Sequence, residues 1–342
     1  MIELMKKYKK ISILLLIVLV FDFCVAALAI IPSEKDVTSP GGLNEVKSLI
    51  KVNTNTNLKG SFNTIYVYGM ERVSLLQALV ADLAVYNEVV DSSTSIIMTD
   101  EERKKSGTIQ KNQSIEASLI CAYETAKKVN TNINLDYSFV GFIIHTKQVN
   151  QTVFQIGDII TKVNNVDTTD KKALADAINN LKSGDVITYQ RNKETHPPYV
   201  VKEDFKTNNR MFYCYSKHNI DFETALPSYT LFESNTLGPS GGLMQTLSVY
   251  SQITGIELTY GKKIVGTGTI STNGYVGEIG GVSQKIVTAI YNKADLFLCP
   301  KDNYKEAYDT YIKTPGHEKM KLVMVETFEE AIKALGDNYG NK

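Results

Sequence analysis

The twelve residues TLGPSGGLMQTL, from Thr236 to Leu247, crowd three glycines and a proline around one hydroxyl, that of Ser240, and lead straight into an apolar run with helical spacing. Two readings of Ser240 fit this pattern. It could be the N-cap of the helix that follows, since serine before an apolar run is a common start signal. Or it could be a nucleophile on a tight turn at a helix N-terminus, where free amides around Gly238 and Gly241 can receive an oxyanion. Small neighbours would let a substrate backbone come close, and Pro239 would stiffen the approach without adding an N–H of its own.

Lys285 poses a similar choice. In VSQKIVTAIYNK, which opens after Gly280 and Gly281, the residues Val282, Ile286, Ala289 and Ile290 share one helical face, and Lys285 borders it. A lysine there either snorkels to water or is buried. If buried, desolvation disfavours its ammonium form and lowers its pKa, by up to several units. A neutral lysine can accept a proton from serine near pH 7, the task that histidine performs in a Ser-His-Asp triad, and Ser-Lys dyads are a known variant.

The elements that must position these residues are partly legible. GSFNTIYVYG (60–69) alternates apolar and β-branched residues and predicts a strand. SLLQALVADLAVYNEVV predicts a helix opening at a Ser N-cap, and residues 99–129 predict a long helix, charged all round at first and amphipathic through Ile115, Leu119, Ala122 and Ala126. Beyond Ser240, KIVGTGTIS and DLFLCP read as strands, and VSQKIVTAIYNK, NYKEAYDTY and TFEEAIKAL as helices.

The amino end has its own character. Lys6, Lys7, Lys9 and Lys10 precede 21 residues, Ile11 to Ile31, that carry one charge, Asp22. That length suffices to cross a bilayer, and the flanking lysines place the amino end in the cytoplasm and the rest outside, as a single-pass protein of the cell membrane. A signal peptide cleaved at Ala27-Leu28-Ala29 is the rival; both readings export the chain. A lipoprotein does not fit, because Cys24 follows FDF. Residues 32–47 read as a polar linker.

Composition narrows the rest. With 37 basic and 37 acidic residues among 342, and no basic stripe, nucleic acid is not expected as a partner. Cys121, Cys214 and Cys299 form no CxxC pair, and His145, His196, His218 and His317 form no HExxH pattern. Neither metal nor cofactor is expected.

Residues 137–190 run strand, GD turn, strand IITKV, NN turn, helix KKALADAINNL, second GD turn and strand VITYQ. The core FQIGDIITKVNNVD resembles a PDZ domain of the bacterial type. The resemblance implies that FVGF (Phe139, Val140, Gly141, Phe142) is a carboxylate-binding loop before an edge strand that pairs with an extended peptide. A small α+β domain with that edge covered is the alternative.

LGPSGGL, GKKIVGTGTISTNGYVGEIGGVSQKI and DLFLCPKDNYKEA, in that order, resemble the proteolytic domain of Lon-family serine peptidases. The resemblance puts Ser240 at the nucleophile, Lys285 at the general base and Thr267 where a threonine hydrogen-bonds the lysine. Gly241 departs from the family's alanine. It also implies that the strand at 60–69 and the helix at 115–129 belong to the same domain, so that the PDZ-like region is inserted into a discontinuous fold. No GxxxxGK[ST] occurs; GIELTYGKK has the wrong spacing. The chain is thus similar to membrane-anchored, PDZ-containing Lon-like peptidases without an ATPase module.

The expected architecture is α+β: a basic N-terminus (1–10), an anchor (11–31), a linker (32–54), the first part of a Lon-like domain (55–132), a PDZ-like domain (133–205) and the Lon-type proteolytic domain (206–342). The expected activity is ATP-independent endopeptidase cleavage of peptides or unfolded segments by a Ser-Lys dyad, with a homo-oligomer suggested by the hexameric rings that Lon domains often form. Two rivals stand beside it. GPSGG also satisfies GxSxG, and Ser240, Asp309 and His317 follow the α/β-hydrolase order, but LFESNT is a poor buried strand to precede the elbow. The other rival is a non-catalytic PDZ-type scaffold with a degenerate peptidase fold.

Overall fold

The computed structural model describes residues 2–94, 96–205 and 210–340. The expected boundary at 205/206 therefore abuts residues outside the described ones. From the amino end the chain forms helix α1 (Ile2–Ile30), strands β1 (Lys35–Glu45), β2 (Ile50–Val52) and β3 (Ser61–Met70), helix α2 (Leu75–Asp82), strand β4 (Glu88–Asp91) and helix α3 (Asp100–Lys127). Next come β5 (Asn134–Lys147), β6 (Ile159–Val163), β7 (Val166–Asp167), helix α4 (Lys171–Asn179), β8 (Val186–Arg191), β9 (Glu194–Thr195), β10 (Tyr199–Val200), β11 (Phe212–Leu226) and β12 (Tyr229–Leu231). The last third holds α5 (Gly242–Thr254), β13 (Lys263–Gly266), β14 (Thr269–Ile270), β15 (Val276–Gly277), α6 (Val282–Tyr291), β16 (Leu296–Pro300), α7 (Tyr304–Tyr311), β17 (Lys321–Val325) and α8 (Phe328–Tyr339).

The chain divides into two compact units. The smaller comprises residues 1–41 and 67–93, the larger residues 42–66 and 94–342. In the smaller unit α1 carries an apolar stretch, Lys6–Ile30, long and apolar enough to cross a membrane or to act as a signal sequence. The expected linker is not one. Residues 35–38 pair antiparallel with β4, and Val37 packs with Val73 and Ala81 in a small core. Helix α2 opens at Ser74 with a full capping box to Gln77, as its sequence predicts, but ends at Asp82. Glu88–Asp91 become β4 instead, because β1 offers their β-branched pair an antiparallel partner.

In the larger unit a parallel sheet runs β17-β16-β13-β3, with Lys263–Gly266 paired to Ser61–Thr64 on one side and Ile264–Gly266 to Leu296–Leu298 on the other. Ile65 packs with Val265, Val282, Ile286 and Phe297, and Leu119 with Leu243, Leu247 and Leu298. Residues before and after the 134–226 region therefore share one core. Helix α5 is enclosed along almost its whole length: Gly242 to Ile253 are all buried.

Residues 134–226 form a second sheet, ordered β10-β8-β6-β5-β11, over a core that includes Phe154, Leu174 and Ile187. Asp158, in the first expected GD turn, is buried and receives both Nε and Nη2 of Arg191 at 2.8 and 2.7 Å, as well as the Gln155 amide. The turn is fixed by a charge-assisted fork rather than by backbone bonds alone.

Candidate active site

Helix α3 lays a polar stripe under the Ser240 turn. Residues 107, 111, 114 and 118 are spaced four, three and four apart and so share one face. The Gly107 carbonyl accepts the Gly238 amide at 3.0 Å, and Lys111 Nζ donates to the Ser234 carbonyl at 2.7 Å. Ser114 Oγ donates to the Pro239 carbonyl at 2.9 Å, and Ser118 Oγ reaches the Gly242 carbonyl at 3.0 Å. The same two hydroxyls lie 3.4 and 3.2 Å from Gln245 Oε1. Sequence reading missed this stripe. The signal was present as Ser114 and Ser118, small polar residues four apart beside the apolar Ile115, Leu119 and Ala122.

Ser240 is half-buried in the turn just before α5. It is not the N-cap. Gly241 holds that position, in right-handed geometry and without a side-chain cap bond. Among the described residues the amides of Ser240 and Gly241 have no acceptor, whereas that of Gly238 is taken by Gly107. The expectation that Gly238 supplies an oxyanion donor therefore fails for its N–H. Its part is conformational: its φ of +87° belongs to the left-handed region and turns the chain into Pro239.

A second strap comes from the break between β13 and β14. Thr267, fully buried, donates from Oγ1 to the Ser240 carbonyl at 3.1 Å, and the next amide, of Gly268, donates to the same oxygen at 2.9 Å. The Gly268 carbonyl then accepts the Leu243 amide at 3.2 Å. Two donors thus hold the Ser240 peptide.

Lys285, on the first turns of α6, is 3% exposed. The alternative in which it snorkels to water is not what the structure shows. Its Nζ donates to Thr267 Oγ1 at 3.3 Å, and burial lowers its pKa to about 7. Ser240, Thr267 and Lys285 are thereby brought to one place through Thr267. No hydrogen bond joins Ser240 Oγ to Lys285 Nζ among the described residues.

The 139–142 expectation meets a different outcome. Phe139–Phe142 are not a loop but the middle of β5, whose β11 edge is occupied there: Phe139 pairs with His218 and Phe142 with Ser216, and Phe142 also pairs with Ile160 of β6 on the other edge. Gly141 sits at a register shift with φ +142°, and a Cβ there would stand 2.5 Å from the Ile160 carbonyl oxygen. The glycine serves a bulge. Asp309 and His317 also lie outside the site: Asp309 pairs with Lys305, and His317 Nδ1 sits 3.0 Å from the Thr314 carbonyl.

A cleft of about 220 Å³ opens beside the Ser240 turn, lined by Pro239, by Ser114 and Gln113 of α3, by Thr269–Thr272, and by Ser216 and Lys171 of the second sheet's module.

Comparison with known proteins identifies the segment that carries this geometry. Residues 232–336 match the family model of the Lon protease (S16) C-terminal proteolytic domain. The Lon protease of Azospirillum brasilense is 32% identical over 98 residues, covering 28% of this chain and 11% of that protein. The Lon protease of Brevibacillus choshinensis is 34% identical over 97 residues, covering 28% of this chain and 12% of that protein. The chain thus spans only about a ninth of the length of these curated relatives. Ser240, Thr267 and Lys285 all fall inside the matched segment.

Proposed function

We propose that the chain is a serine endopeptidase in which Ser240 is the nucleophile, Lys285 the general base and Thr267 the residue that orients Lys285. The observation that carries this reading is the buried Lys285 amine, its pKa lowered to about 7, held by a threonine that also holds the Ser240 peptide. Ser240 Oγ attacks the scissile carbonyl carbon while its proton passes to Lys285 Nζ. The oxyanion forms against the unoccupied amides of Ser240 and Gly241, at the positive end of α5. Collapse expels the amine, which takes the proton from Lys285. Water, deprotonated in turn by Lys285, attacks the acyl carbon and releases the acid, and Ser240 Oγ takes that proton back from Lys285 as its bond to the acyl group breaks. The Ser240–Lys285 hydrogen bond closes when substrate fills the site, as catalytic hydrogen bonds that are long in free enzymes tighten in the complex.

The finer reading is a membrane-anchored enzyme whose carboxy-terminal units lie outside the cell. In this reading it acts without ATP on peptides or unfolded segments. The 134–226 module would sit as an insertion in a discontinuous proteolytic domain and help to line the substrate's approach. A homo-oligomer is the expected assembly. A second reading, a binding protein that has lost turnover, is favoured by Gly241 in place of the family's alanine. One experiment separates them: hydrolysis of unfolded casein by the full chain in detergent, without nucleotide, beside Ser240→Ala and Lys285→Ala. Cleavage lost in both variants supports the dyad. Cleavage that survives Ser240→Ala overturns it, and no cleavage by wild type favours the binding protein.

A further inference from the structure

The cleft beside Ser240 has an electrostatic feature that the dyad does not use. Of its lining residues only Lys171 carries a formal charge, because burial lowers the pKa of His218 to about 4 and leaves that ring neutral. Lys171 opens α4 and is half-buried. Its Nζ stands 3.4 Å from His218 Nε2 and 5.3 Å from the centre of the Phe139 ring. Among the described residues no carboxylate pairs with it. A half-buried cation without a counter-ion is costly, and the neutral imidazole and aromatic face recover only part of the lost hydration.

Gln113 of α3 lines the same cleft. Gln113 is 94% enclosed, with 6% of its surface exposed, and its Nε2 donates to Glu116 Oε1 at 3.3 Å. The amide must face that way, since its oxygen would otherwise oppose the carboxylate. This leaves Gln113 Oε1 buried with no donor. An unpaired cation and a residue whose buried acceptor has no donor therefore line one cleft that also touches Pro239, the residue before Ser240. A peptide supplies both complements, an N–H and a carboxylate.

We propose that this cleft leads substrate to Ser240 and that Lys171 binds a substrate carboxylate in it, while Gln113 Oε1 accepts a peptide N–H. The inference rests on the peptidase reading and adds a selectivity: peptides with a carboxylate at a fixed reach from the scissile bond are preferred. Either an acidic side chain or the chain's own C-terminus supplies that chemistry.

The test uses the full chain in detergent and fluorescent dodecapeptides of Ala, Leu and Gly, with one Glu or Gln walked along the sequence and the C-terminus a free acid or an amide. In wild type the better member of an acid/amide or Glu/Gln pair should show about tenfold higher kcat/KM, the scale of a charge-assisted hydrogen bond. Lys171→Met should bring that ratio to about one, and Lys171→Arg should keep it. A preference confined to the acid/amide pairs assigns the site to C-termini; one confined to Glu/Gln pairs assigns it to side chains. Equal ratios in wild type and Lys171→Met overturn the inference and leave the peptidase reading standing. The same pairs are titrated against Ser240→Ala by fluorescence anisotropy. A Lys171-dependent preference in binding with no turnover by wild type would sink the peptidase reading and keep the cleft, and no preference in binding or turnover would overturn the cleft.

Discussion

Lys285 Nζ lies 3.3 Å from Thr267 Oγ1, and that hydroxyl donates onward to the Ser240 carbonyl at 3.1 Å. A hydroxyl has a single hydrogen. Because Thr267 spends its proton on Ser240, it faces Lys285 as an acceptor only, and the amine must donate to it. One N–H of Lys285 is thereby committed, which fixes the direction of the remaining valences. Thr267 thus couples the placement of the serine backbone to the orientation of the Lys285 amine.

The first consequence is a pH profile. In the proposed mechanism Lys285 must be neutral to take the Ser240 proton, and its pKa is lowered to about 7 by burial. Wild-type kcat/KM should rise about tenfold per pH unit well below 7 and level off above it. Stability should follow the same group. Between about 7 and the ordinary lysine value of 10.5 the unfolded chain holds a proton that the folded chain does not, so the unfolding free energy rises with pH in that window. The slope from this group is at most about 1.4 kcal/mol per unit. Lys285→Met should remove that contribution. Denaturant titrations of wild type and variant at pH 7 and 9 check it: equal slopes in the two proteins would mean that the lysine is not held neutral.

Thr267→Val keeps the shape of the side chain and deletes its hydroxyl. The Ser240 carbonyl retains the Gly268 amide, so the turn should survive, while Lys285 loses its only side-chain acceptor among the described residues. Hydrolysis should fall about 10- to 100-fold, the cost of one or two hydrogen bonds, mainly in kcat. Unchanged kcat would show that Thr267 is structural filling and does not orient the base.

How much of this was legible depends on whether a residue's role is local. Thr99 and Glu102 announce the start of α3, and the structure shows both halves of their capping box. Lys285 beside an apolar stripe announced two outcomes; only the packing of α6 chose burial. The β1 strand was not legible, because its Ser-Pro-Gly-Gly has no alternation and its pairing depends on residues some fifty positions away. Phe139–Phe142 misled for the same reason: whether an edge is open depends on β11, which lies far downstream. The stripe of 107, 111, 114 and 118 was visible as spacing, but its purpose appears only once the Ser240 turn lies across it.

Gly241 and Gly242 look alike in sequence and should respond differently to alanine. A Cβ on Gly241 would lie 3.0 Å from both Thr64 Cγ2 and Gln245 Nε2, side-chain atoms that can give way, and its φ of −88° suits any residue. Gly241→Ala should fold, lose roughly 1 kcal/mol or less, and cleave casein within about tenfold of wild type. A Cβ on Gly242 would lie 2.7 Å from Ile270 Cγ2 and 2.9 Å from the Ile270 backbone nitrogen. Gly242→Ala should cost about 1–3 kcal/mol and displace α5 from β14, with activity lost. Thermal melts and casein hydrolysis compare the two; equal melting of both variants would contradict the close packing of Gly242.

Whether the 134–226 module stands by itself can be read from the Asp158–Arg191 fork. Asp158 is 1% exposed and both of its oxygens accept N–H groups. Arg191→Met leaves that carboxylate buried without its cation and should cost about 3–5 kcal/mol. Asp158→Asn keeps the volume and one acceptor, removes the charge that demanded a partner, and should cost less. Both changes lie far in sequence from α5 and α6, and the fork touches neither helix. Hydrogen exchange should therefore accelerate in β5, β6 and β8 of Arg191→Met while α5 keeps its protection. Loss of protection in α5 to the same degree would mean that the module and the helices around Ser240 unfold as one cooperative unit.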